Sequence, residues 1–127
     1  MFLIVEEVFE ILESLCKSDK KALIEKIEGM NLDTNESVMN VYIQLVKMFE
    51  YGLLIRFLKD EEAKNIFNGK IGEDLIANLR AVSVINIKIL SSANLYKLLQ
   101  LEKEINGSAA QIKKSLLMVG LLAILED

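Results

Sequence analysis

Between Glu73 and Leu90 the chain reads EDLIANLRAVSVINIKIL. Leu75, Leu79, Val82 and Ile89 recur at helical spacing, while Ile76, Val84, Ile85 and Ile87 spread around the remaining circumference. After the first turn only Arg80 and Lys88 carry charge. The β-branched run from Val82 to Ile89 also has the composition of a strand. No turn signals flank it, however, and its neighbours are helical, so the stretch reads as a helix. A helix apolar nearly all round is buried on most sides. The fold expected is therefore all-α: one domain over residues 1–127, a compact bundle of five to seven helices with a buried central helix at about 73–90.

Working outward, the same signals recur. Upstream, Val38, Tyr42, Leu45 and Phe49 form one apolar row, widened by Val41, Met48 and Leu53. Asp33 with Glu36 reads as a capping box opening that helix, and Gly52 is a place for it to bend or stop. Asp60, followed by Glu61 and Glu62, is a candidate N-cap for a short helix ending near Asn68-Gly69. Nearer the start, Ile4, Val8, Ile11 and Leu15, flanked by Val5, Leu12 and Cys16, predict a helix from about Phe2 to Cys16. Ser18 is placed to cap a second helix, Asp19 to Glu28, with Leu23 and Ile27 inward and Gly29 as its left-handed stop. Downstream, Ser91 or Ser92 caps a helix from Ala93 to Ile105, which Asn106-Gly107 ends. Ser108 with Gln111 is a second capping box, opening a last helix from Ala109 to about Leu125.

With 127 residues, 52% of them hydrophobic, the chain is apolar for a soluble domain. That excess implies a thick core, a covered surface, or both. The single thiol, Cys16, excludes an internal disulfide and reads as a small core hydrophobe in a reducing, cytoplasmic compartment. The opening residues lack a basic leader, and the longest uncharged apolar run, Ser115 to Leu125, is too short for a bilayer, which takes about 20 residues. No membrane span is expected. Scarce glutamine beside plentiful Lys, Glu and Ile is compatible with a thermophile source.

Catalytic chemistry is poorly supplied. The chain has no histidine, which excludes the usual zinc sites and Ser–His or Cys–His nucleophiles. Gly69-Lys70-Ile71-Gly72 has two glycines before a helix, but Glu73 and Asp74 stand where a phosphate would need a Lys-Ser/Thr pair, so it reads as a turn. Glu6, Glu10 and Glu13 share a helical face that a hard cation could use; a solvated face is the simpler reading. Neither a cofactor nor a metal is expected, and the chain is read as a non-enzyme. A net charge of −4 and dispersed lysines argue against nucleic acid. Binding RNA or DNA through a lysine face, as a helical small subunit of a ribonucleoprotein complex, is the alternative.

One further stretch bears on partners. Leu116 to Val119 and Leu121 to Leu125 cover every face of the last helix, and Gly120 suits close approach of another helix. Either this helix threads its own core, or it lies half in a partner. On the second reading Leu117, Met118, Leu121, Leu122 and Leu125 form a protein interface, as in a homodimer or a subunit of a hetero-complex.

Leu45-x-x-Met48-Phe49-x-Tyr51-Gly52-Leu53-Leu54 resembles the helix ending glycine-leucine-leucine in a family of small helical proteins of unknown function, encoded in bacteria and archaea beside heterodisulfide-reductase-like or formate dehydrogenase subunits. Asp74 to Ile105 is similar to that family's central apolar helix pair. Val119 to Asp127 resembles its glycine-leucine-leucine…aspartate element, so the likeness runs from about Ser37 to Asp127. The chain departs from the family in stopping after that aspartate. The resemblance transfers no catalytic residue; it implies an accessory or assembly role beside a redox complex.

Overall fold

The structure, a computed structural model, describes residues 5–126, without the side chains of Val5, Ala110 and Gln111. It contains α1 (Val5–Cys16), α2 (Lys20–Gly29), α3 (Asn35–Arg56), α4 (Asp60–Ile66), α5 (Glu73–Ser83), α6 (Ser92–Asn106) and α7 (Ala110–Glu126), and no strand among the described residues. The fold is the all-α bundle expected from the sequence. The start of α1 before Val5, with Ile4 of its apolar row, lies outside the described residues.

The central helix is α3, which packs against α1, α5, α6 and α7. Its buried residues are the apolar row read from the sequence: Val38, Val41, Tyr42, Leu45, Met48 and Phe49, then Gly52 and Ile55. Gly52 neither bends nor ends it. A Cβ there would stand 3.0 Å from Leu90 Cδ2, so the glycine is the seat for that buried leucine.

The stretch expected to be the central helix is a different object. Helix α5 stops at Ser83, and Val84–Leu90 is a series of turns. Three causes combine, two of them local in sequence. Val84, Ile85, Ile87 and Ile89 are poor helix formers because their β-branched carbons crowd the preceding turn. Asn86 Oδ1 accepts from the backbone N–H of Lys88 at 3.1 Å and of Ile89 at 3.3 Å, a local bond that competes with the helix. The Ser83 carbonyl, which a continuing helix would use, accepts instead from Arg56 Nε at 3.2 Å and Nη2 at 2.9 Å.

Several helix ends shift by a residue. Thr34, not Asp33, caps α3 in a reciprocal box with Ser37, whose Oγ takes the Thr34 N–H. Asp19 caps α2 by accepting from the Ala22 N–H, and Ser18 adopts φ 55° to turn the chain into it. Gly29 stays helical, and Met30 ends α2 in an extended conformation. Lys59 is the residue ahead of α4, with Glu62 reaching back to its N–H, so Asp60 sits in the first turn. Ser91 caps α6 as expected. Of the proposed box opening α7, the Gln111 side chain lies outside the described ones, and Ser108 Oγ donates back to the Glu104 carbonyl.

Candidate interaction surface

The five residues of α7 named as an interface divide between two environments. Leu117 and Leu121 are fully buried in the chain's own core, joined there by Ile124. Met118, Leu122 and Leu125 are half-buried and pack against that core. Residues 117, 121 and 124 make the inward stripe, so the outward one falls on Ile112, Ser115, Val119 and Ala123. This corrects the expected interface: Leu117 and Leu121 have no surface to offer, and the outward stripe is interrupted by small residues. Gly120 does serve close approach, but to Leu101 of α6.

The larger apolar display is at the opposite end of the sequence reading, where α3 and α5 finish. Phe57, the residue after α3, is 80% exposed, and Leu54 one turn earlier is 42% exposed. Val84, Ile85 and Ile87 in the turns after α5 are 67%, 47% and 63% exposed. Sequence reasoning counted all three as core, because a β-branched run looks alike whether it faces inward or outward.

What makes this end more than a frayed loop is how it is held. The chain's two arginines form a reciprocal clasp. Arg56, in the last turn of α3, donates to the carbonyl of Ser83 at the end of α5 and to that of Leu90 at 2.6 Å, thus bridging both ends of the Val84–Ile89 segment. Arg80 of α5 donates to the carbonyls of Leu58 at 2.9 Å and Ile55 at 3.4 Å, satisfying the α3 end, and pairs with Asp60 at 3.0 Å. Asn94 Nδ2 donates to the carbonyls of Lys88 and Ile89, at 3.1 and 2.8 Å. Leu90 and Ile89 are buried as anchors. The backbone that carries the exposed side chains is thus tied at both ends. Beside them a shallow cavity of about 280 Å³, lined by Leu53, Leu54, Arg56, Phe57, Ser91 and Ser92, carries the surface toward the start of α6.

Several of the lysines, by contrast, are engaged. Lys26 pairs with Glu10 at 2.7 Å, Lys17 with Glu13 at 3.4 Å, Lys64 with Glu73 at 3.8 Å and Lys114 with Glu28 at 3.9 Å. Lys113 is buried, its ammonium donating to the carbonyls of Ile105 and Asn106. The Glu6, Glu10 and Glu13 stripe thus contributes two carboxylates to ion pairs, and no group of His, Cys, Asp or Glu fit to hold a metal occurs among the described residues. Burial pushes the Cys16 thiol up from its usual 9 to about 11, so it is a protonated core group near neutrality. Gly69 and Gly72 flank a turn, Gly69 with φ +74°. Among the described helices α3 alone has the length and hydropathy of a membrane span, and half of that stretch is buried inside the bundle. Comparison with protein-family models, with curated proteins and with solved structures finds nothing that matches this chain.

Proposed function

We propose that this is a non-enzymatic helical interaction protein that self-associates, or docks onto a larger assembly, through the end formed by Leu54, Phe57, Val84, Ile85 and Ile87. The observation that carries the reading is a set of exposed large apolar side chains on backbone tied by the arginine clasp and the buried anchors. A display on tied backbone loses less conformational freedom on binding, which favours affinity. A large side chain offers on the order of 150–200 Å² when fully exposed, so at these exposures the five together offer roughly 500 Å². That is near the upper limit for a monomer's largest patch, about 300–600 Å², and enough for the apolar centre of an interface of about 800 Å² per partner.

A second copy of the chain is the occupant to test first, since closed two-fold dimers are the commonest assemblies. Sedimentation equilibrium of the wild type should show a reversible dimer. The double variant Phe57→Ser, Ile87→Ser should sediment as a monomer with an unchanged helical circular-dichroism spectrum. Equal masses for the two proteins at every concentration rule out self-association through this end.

A further inference from the structure

A cavity of about 450 Å³ lies on the other flank of α3, in the range of small-molecule sites. One wall is a single helical face: Gln44, Lys47, Met48 and Tyr51, at i, i+3, i+4 and i+7. The other wall is Lys70 and Ile71, in the turn before α5, with Leu75 of α5. Tyr51 is held by Phe67, ring centroids 4.8 Å apart.

Three features of this cavity converge on one ligand chemistry. Both polar atoms of the Gln44 amide, Nε2 and Oε1, are shielded from solvent and bonded to nothing, the one such side chain among the described residues. Buried amides in native proteins are nearly always satisfied, so an orphan beside a cavity points to a group that arrives from outside. Lys47 and Lys70 both line the space, and neither has an ion pair among the described residues. No acid lines it, while Met48, Ile71 and Leu75 supply an apolar floor. The adjoining cavity, which shares Lys70, Ile71 and Leu75, is rimmed by Glu6, Glu10, Glu13 and Asp74, so a negative charge is directed to the Gln44 end.

We infer that the cavity between α3 and the 70–75 segment binds a small organic carboxylate with an apolar body. The carboxylate lies between the ammonium groups of Lys47 and Lys70, and its oxygens accept from Gln44 Nε2. The soft terminal torsion of glutamine brings the amide round to the cavity. An ammonium drawn inward by the bound charge is the donor that Oε1 lacks. The hydrocarbon part covers Met48, Ile71 and Leu75.

The test uses the full chain and three probes: octanoate, which has charge and chain; octanol, which has the chain alone; and inorganic phosphate, which has the charge alone. Titration calorimetry, with amide chemical shifts to locate the site, should show saturable octanoate binding that shifts residues around Gln44 and Lys70. Octanol and phosphate should bind at least about tenfold more weakly. Lys47→Met and Lys70→Met are surface changes that leave the fold intact, and each should weaken octanoate about tenfold. Gln44→Met should lose octanoate binding while the free protein becomes no less stable, because an orphaned amide has been replaced by an apolar chain of similar length. No saturable octanoate signal, octanol binding as well as octanoate, phosphate binding as well as octanoate, or full octanoate affinity in both lysine variants would each overturn the assignment.

Discussion

Lys113 is a cation in a core, only 3% exposed, and its ammonium donates to the carbonyls of Ile105 and Asn106 at the end of α6. Lys113→Met keeps the stem and removes the donor, leaving the Ile105 carbonyl with its backbone partner alone and the Asn106 carbonyl without its ammonium. It should cost about 1–3 kcal/mol in urea unfolding; a loss below about 0.5 kcal/mol would mean water replaces the ammonium there. Tyr42 is the comparable residue on α3, its buried hydroxyl donating to the Leu98 carbonyl at 2.7 Å. Burial, aided by the nearby charge of Glu102, pushes its pKa from the usual 10 to about 12, as burial pushes Cys16 to about 11. In the unfolded chain these groups lose their protons near 10 and 9, before the folded chain releases them. Between those values the folded state binds more protons, so stability present below pH 9 falls as pH rises from 9 toward 12. Urea midpoints measured at pH 8 and 10.5 should show that fall. The double variant Tyr42→Phe, Cys16→Ala should show less of it, and an equal fall in both proteins would assign it to other groups. The sequence marked neither residue for these roles: a tyrosine in an apolar row and a lysine near a helix start both look ordinary until a carbonyl is placed opposite them.

Helices α1, α2, α3 and α6 were legible because their apolar residues occupy one face and polar residues mark the other. Helix α7 was legible in extent but not in rotation. From Leu116 to Leu125 nearly every position is apolar, so the pattern carries no phase, and Leu117 and Leu121 read as well outward as inward. Only packing against α2, α3 and α6 fixes the phase. The stretch after Ser83 differs for the converse reason: one of the helix-ending influences comes from Arg56, 27 residues away in sequence. The α6–α7 crossing supplies a prediction. A Cβ on Gly120 would fall well inside contact distance of Leu101 Cδ1 and 3.0 Å from Cδ2. Alanine gains about 1 kcal/mol in helix propensity, but forcing Leu101 aside costs about 1–3 kcal/mol. Gly120→Ala alone should therefore be neutral to destabilising, and in a Leu101→Ala background it should stabilise by about 1 kcal/mol. Thermal unfolding of the four proteins measures the coupling; the same change in both backgrounds would show that the two helices do not meet there.

The molecule as a whole is a bundle wrapped around α3, with part of its apolar excess displayed at the end where α3 and α5 finish. With no histidine and one buried thiol, its stability should rest on packing alone. EDTA and dithiothreitol should each leave the unfolding midpoint unchanged, and a drop in EDTA would reveal a cation that the carboxylates hold. The architecture was legible because capping residues and helical periodicity agreed along most of the chain. The exposed end was not, since apolar residues announce burial without saying in what. Arg56 gives that end one more property. A single guanidinium joins the carbonyls of Ser83 and Leu90, so the six residues between them form a closed ring, pinned on its far side by Asn94 and buried Ile89. Side-chain changes at the exposed positions of such a ring are absorbed before they reach the bundle. The fold therefore places no demand on Val84, Ile85 or Ile87 and would accept serine or lysine in their places. On the proposed docking role, their composition answers to the neighbour rather than to the fold, and this segment is where the molecule can be rewritten for a different one.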